Sequence, residues 1–207
     1  RLLIDYPQPY KDDILDFLFK PKFGASLQML KTEIGGGSSS TSGSVPSHAV
    51  TRDELNNPVS RSYMLWMMRE AKDRNPNIKL GCLPWAYPYW VQGKDCSTCF
   101  CCPTQDTADY YLSYLNLAAE QWNLQFDYIG APQNEKNMVY PGDIDWITYT
   151  LYPTLASAGF DLPIIAPDGG YHAWDVFEHL DEDPNYTNVI KMVGGHRIDQ
   201  KDRWPTQ

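Results

Sequence analysis

No stretch of this chain has 18 consecutive apolar residues, so nothing in it is long enough for a membrane-spanning helix. Positive charge is in deficit. Lys and Arg number 17 against 26 Asp and Glu, giving a net charge of −9 and a pI of about 4.8. That balance argues against a nucleic-acid backbone as partner. Neither a signal peptide nor an internal repeat is visible, and the chain opens at Arg1 in what reads as mid-domain sequence. The two separated cysteine pairs of a zinc site are also missing, because four of the five cysteines crowd into residues 96–102. No metal and no cofactor is expected.

What is present fits one domain with a sizeable core: 207 residues, 43% of them hydrophobic. Aromatics make up 14%, with 14 Tyr and 7 Trp. Sugar C–H faces stack on such rings, but cores and protein interfaces use them equally well. An acidic protein repels itself less at low pH, which would suit an acidic lumen.

Along the chain, apolar runs alternate with amphipathic segments. Residues 11–19 predict a helix, with Ile14, Leu15, Leu18 and Phe19 at helical spacing, Asp12, Asp13 and Asp16 toward the polar side, and Pro21 as the stop. Residues 26–34 predict a strand, followed by a Gly- and Ser-rich loop over 35–43. That composition reads as an inert linker or, between a strand and a helix, as an active-site loop. Helices are expected over 61–74, 104–122, 142–152 and 173–180. Further strands are expected over 78–83, 127–131, 162–166 and 188–196. The alternation implies a parallel sheet with crossover helices, and it supplies too few strands for a closed eight-stranded barrel.

Chemistry-bearing residues recur at the ends of these strands or in the loops after them. Asn134-Glu135 follows the strand over 127–131, the placement of a catalytic carboxylate in a parallel α/β barrel. Read alone, the pair is equally an ordinary surface Asn-Glu. Thr41, Trp85 and His196 occupy comparable positions, and in a barrel all four would converge on one face. Trp85, with Tyr87, Tyr89 and Trp90 after it, is either loop packing or a sugar-stacking wall. His196 alone is more often a structural hydrogen-bonder. Glu33 and Asp168, also at strand ends, are candidates for orienting neighbours.

Several of these stretches together resemble the galactocerebrosidase (galactosylceramidase) family of glycosidases, glycoside hydrolase family 59. They are Arg1-Leu2-Leu3, Tyr6-Pro7, Leu18-Phe19-Lys20-Pro21, Phe23-Gly24-Ala25-Ser26-Leu27, Glu33-Ile34-Gly35-Gly36, Pro46-Ser47-His48, Arg74-Asn75-Pro76-Asn77-Ile78, Leu83-Pro84-Trp85, Asp127-Tyr128-Ile129-Gly130 and Asn134-Glu135. The likeness runs in order from Arg1 to about Glu135. It thins after Val139, where Ile164-Ile165-Ala166 with Asp168 and Val193-Gly194-Gly195-His196 still look like the next two strands.

The resemblance implies a (β/α)8 barrel, of which this chain would hold about strands 2 to 6 in a single partial domain over residues 1–207. It implies a retaining β-galactosidase acting on galactosylceramide and related galactolipids. Glu135 would be the acid/base, Asn134 would bind the sugar beside it, and Thr41 and Trp85 would line the galactose pocket with His196 nearby. The first strand would lie before Arg1. The last two strands, and with them the nucleophile, would lie beyond Gln207, because a retaining mechanism needs two carboxylates about 5–5.5 Å apart and Glu178 and Glu182 fall between the fifth and sixth strands. A lysosomal or secreted location and a saposin-type lipid-presenting partner are implied too. The sequence departs from the family at Pro132-Gln133, where the family has an aromatic immediately before the Asn-Glu pair, and at Arg197, where the family has Tyr. The competing expectation is a catalytically inactive relative that keeps the barrel as a carbohydrate-binding or structural module.

In a secretory setting Cys96, Cys99, Cys101 and Cys102 are expected to form disulfides, and Cys82, inside a strand, to be a buried thiol. Asn185-Tyr186-Thr187 is an N-glycosylation sequon.

Overall fold

The computed structural model of the protein describes residues 2–37, 39–40, 43–92, 103–135, 142–169 and 173–195. Five strands form one parallel sheet in chain order: β1 (Met29–Ile34), β2 (Lys79–Pro84), β3 (Tyr128–Gly130), β4 (Ile164–Gly169) and β5 (Ile190–Gly195). Parallel neighbours need crossovers. Helix α1 (Gln8–Phe19) precedes β1, α2 (Met64–Arg74) joins β1 to β2, and α3 (Gln105–Trp122) joins β2 to β3. A short antiparallel ribbon pairs Ser39–Ser40 with Gly43–Ser44 after β1.

Local chemistry sets these boundaries. In α3, Thr104 and Thr107 form a reciprocal capping box, and Asn123 at φ +50° turns the chain out of the helix. Asp12 and Asp16, expected on the polar side of α1, both pair with Arg74 of α2 at 3.0 and 2.8 Å and so clamp the two helices together.

Four expectations need correction. The strand over 162–166 is displaced to Ile164–Gly169; it runs through Pro167, and the ladder to β5 is irregular between Ile165 and Asp168, because proline offers no N–H. Asn188 and Val189, expected in the last strand, belong to a helix over Pro184–Val189, which Asp183 caps by accepting a 2.8 Å bond from the Asn185 amide. The helix expected over 142–152 continues to Ser157 through a π-helical turn, Ile147–Leu151. The wider turn accommodates Pro153, which cannot donate to the carbonyl one turn back. The piece over 173–180 is a 3₁₀ segment, Ala173–Glu178.

The sheet has two chemically different faces. Ile34, Leu80, Cys82, Ile129, Ile164 and Ala166 pack against the helices in one apolar core, and the Cys82 thiol is fully buried there as expected. Side chains alternate across a strand, so Lys31, Glu33, Leu83 and Tyr128 occupy the other face. On that face Lys31 Nζ meets Asp168 Oδ2 at 2.8 Å. β1 and β4 are three strand steps apart, roughly 14 Å on a flat sheet. Strand side chains stand roughly perpendicular to the sheet, so the two groups can meet only if the sheet curls toward this face, as a barrel wall does. Gly81 permits the curl: a Cβ there would lie 2.1 Å from the Tyr128 ring.

Candidate active site at the carboxyl ends of the strands

All five strands run the same way, so the segments leaving Ile34, Pro84, Gly130, Gly169 and Gly195 emerge on one edge of the sheet. The first three are tied to one another through the backbone. The Asn134 amide donates to the Pro84 carbonyl at 2.9 Å. Gln133, almost completely buried, donates through Nε2 to the Trp85 carbonyl. Asn134 also forms a parallel bridge with Asp168, so the segment carrying Asn134-Glu135 spans the ends of β2 and β4. Gly36 approaches so closely that a Cβ would sit 2.2 Å from the Ala86 carbonyl oxygen, which makes the start of the glycine-rich loop a packing requirement.

Buried tyrosine hydroxyls hold this edge in place. Tyr111 of α3 donates to the Gly130 and Pro132 carbonyls at 2.9 and 3.0 Å, and Tyr87 donates to Pro132 as well. Tyr110 donates to the Gly35 carbonyl and lies 2.7 Å from Ser47 Oγ. The His48 ring packs at a tilt against Tyr110 and edge-on against Tyr114, with centroids 4.2 and 5.3 Å apart. Arg61 binds the Ser47 and His48 carbonyls while pairing with Glu54 at 2.8 Å. Tyr110, Tyr111 and Tyr114 share one face of α3 by helical spacing, which marks them as buried but not as hydrogen-bonding. The hydroxyls of Tyr110 and Tyr111 act as posts between the helix and this edge of the sheet, and the carbonyls they serve could not be found from helical spacing.

Of the expected site residues, the structure brings Trp85, Asn134 and Glu135 to this edge. Trp85 and Asn134 are half-buried, while Glu135 is exposed. The Glu135 backbone adopts φ +55°, a left-handed conformation that costs a non-glycine residue about 1 kcal/mol and tends to survive where function holds it. Tyr87 and Trp90, grouped with Trp85 in the sequence, are packing residues: Tyr87 is buried and Trp90 Nε1 donates to the Ala49 carbonyl at 3.1 Å. Asp168 is nearly buried on the inner face with Lys31 as partner. Glu33 lies on the same face with Oε1 buried, and burial pushes its carboxyl up to about 7. Thr41, His196 and the cysteines at 96, 99, 101 and 102 lie outside the described residues. Asn185 is exposed at the start of its helix, and its Nδ2 reaches the Tyr149 hydroxyl at 3.4 Å. Among the described residues no group of His, Cys, Asp and Glu could hold a metal ion, and no helix is long and apolar enough to cross a membrane.

The fold matches solved glycosidase structures. The endo-beta1,6-glucanase BT3312 superposes with a TM-score of 0.73 at 21% identity over 95% of this chain and 49% of its own. The catalytic domain of GH30 xylanase C from Talaromyces cellulolyticus gives 0.65 at 19% identity, over 94% and 49%. At those identities the likeness establishes the fold, a (β/α)8 barrel represented in part. The family model described as "Glycosyl hydrolase family 59" matches residues 1–207. Proteins named galactocerebrosidase are similar along most of the chain. The one from Danio rerio is 43% identical over 197 residues, covering 95% of this chain and 28% of its own length, and the one from Macaca mulatta is 47% identical, over 95% and 27%. The chain thus spans under a third of the length of these curated relatives.

Proposed function

The chain belongs to glycosyl hydrolase family 59, and from that premise we propose that its protein is a retaining β-galactosidase acting on galactosylceramide and related galactolipids. The observation that carries this reading is the position of Asn134-Glu135, held across the carboxyl ends of β2 and β4 beside Trp85. Glu135 is the acid/base, protonating the glycosidic oxygen and then activating the incoming water. Asn134 binds a sugar hydroxyl, Trp85 stacks on the galactose ring, and Thr41 and His196 complete the pocket. The nucleophile comes from chain outside these 207 residues, about 5–5.5 Å from Glu135 as retention requires. The proposal extends to a lysosomal or secreted protein, with a glycan on the exposed Asn185, disulfides among the clustered cysteines and a saposin-type partner that presents the lipid.

The test is leaving-group dependence in the longer protein. Glu135→Gln slows galactosides with poor leaving groups by about 10²–10⁴-fold, the usual worth of general acid–base catalysis, and slows activated aryl galactosides far less. Azide restores turnover of the activated substrate, because a small anion attacks without a general base. Equal hydrolysis of natural and activated galactosides by Glu135→Gln defeats the assignment. A wild-type protein that binds galactosides and cleaves none favours the non-catalytic reading.

A further inference from the structure

Glu33 is a carboxylate with one oxygen left unpaired among the described residues. It is the penultimate residue of β1, on the inner face, in register with Leu83 of β2. Its Oε1 is buried, and among the described residues it has no hydrogen-bond partner. Buried polar atoms are nearly always paired, so an orphaned carboxylate oxygen calls for an explanation. Desolvation is what raises its carboxyl, and among the described residues no cation pairs with it. The ammonium of Lys31, two residues back on the same face, is engaged by Asp168 at 2.8 Å.

Its neighbours connect it to the segment that carries Asn134 and Glu135. Leu83 sits beside Glu33 on β2, and Gly130 comes next on β3, where a Cβ would lie 2.9 Å from Leu83. The Asn134 amide bonds the Pro84 carbonyl, one residue beyond Leu83, so Glu33 and Asn134 flank the same strand end from opposite sides. A carboxylate with a purely structural role is ordinarily paired, and among the described residues this oxygen is not.

We propose that Glu33 is a substrate-binding residue of the candidate site, its free Oε1 taking a hydroxyl of the pyranose held beside Asn134 and Glu135. This rests on the glycosidase reading above. The raised carboxyl fits the role, because a protonated acid both donates to and accepts from a sugar hydroxyl. It also gives a signature that a structural residue lacks. Glu33 ionises near 4.5 when unfolded and near 7 when folded, so the penalty for ionising it in place grows as pH rises from about 4.5 to 7 and is absent below. Replacing it should therefore weaken sugar binding without loss of stability.

The experiment compares the full-length wild type with Glu33→Leu and Glu33→Gln. Binding of methyl β-galactoside and its four monodeoxy derivatives is measured by calorimetry, with thermal midpoints at pH 4.5 and pH 7.5. Glu33→Leu is expected to weaken binding of the parent sugar about ten-fold, the worth of one hydrogen bond to a charged or buried acid. One deoxy derivative should bind wild type and Glu33→Leu equally, identifying the hydroxyl. Glu33→Gln, which keeps an acceptor oxygen, recovers part of the loss. The melting point of Glu33→Leu at pH 7.5 should equal or exceed that of wild type, with any gain smaller at pH 4.5. Unchanged affinity in Glu33→Leu, no binding of any of these sugars to wild type, or a uniform loss across all derivatives with a lowered melting point overturns the proposal. Wild type that binds the sugars through Glu33 but hydrolyses no galactoside refutes the proposed function and leaves this inference standing.

Discussion

His48 shows how far a single residue's behaviour depends on what covers it. It sits between two tyrosine rings and is almost fully buried, and desolvation pushes its imidazole down to about 3 from 6.5. The folded protein keeps this ring neutral where the unfolded chain takes up a proton, so stability falls as pH drops below about 6.5 and continues to fall toward 3. The slope is about 1.4 kcal/mol per pH unit for one proton. His48→Phe retains the ring contacts and removes the titration. Its loss of stability between pH 7.5 and 5.0 in urea unfolding should be about 2 kcal/mol smaller than that of wild type. Equal losses would show that His48 is protonated in the fold. In the sequence, Pro46-Ser47-His48 was visible only as part of a family likeness, because nothing local announces that a helix about sixty positions further on will bury that ring.

At the level of elements, the site depends on strand ends that touch through backbone. The carbonyl of Ala86 lies where a Cβ on Gly36 would be, and backbone cannot rotate aside as a side chain can. Gly36→Ala should therefore displace the loop after β1 or the segment after β2. The expected cost is about 1–3 kcal/mol in unfolding free energy, together with weakened sugar binding, because Trp85 and the Gln133 contact move with that segment. A variant with wild-type stability and affinity would mean that the approach is looser than the geometry states. The order and direction of β1 to β5 were legible from the alternation of apolar runs and amphipathic segments. Their ends were not: Pro167 lies inside β4, and the helix before it passes Pro153 through a π turn, while local propensity treats each proline as a stop. Packing on both sides of the backbone overrides that preference.

At the scale of the molecule, the described residues form one curved wall of five parallel strands, in which β1 and β5 each have a strand neighbour on one side only. If the nucleophile lies outside this segment, the segment alone should hydrolyse no aryl β-galactoside while the longer protein does, in parallel assays at equal concentration. Cleavage by the isolated segment would place the nucleophile within it. The sequence by itself determined the alternation of strands and helices, the acidic balance, the absence of a spanning helix and the family. Each of these depends on composition or on neighbours within a few residues. Only the tertiary structure decided which tyrosines are posts, that Lys31 reaches Asp168 across the inner face, and that Glu33 carries a buried oxygen unpaired among the described residues. Those facts depend on curvature and on contacts between residues as many as 137 positions apart. Such contacts form when strands align and helices cover one face, and no local pattern encodes them.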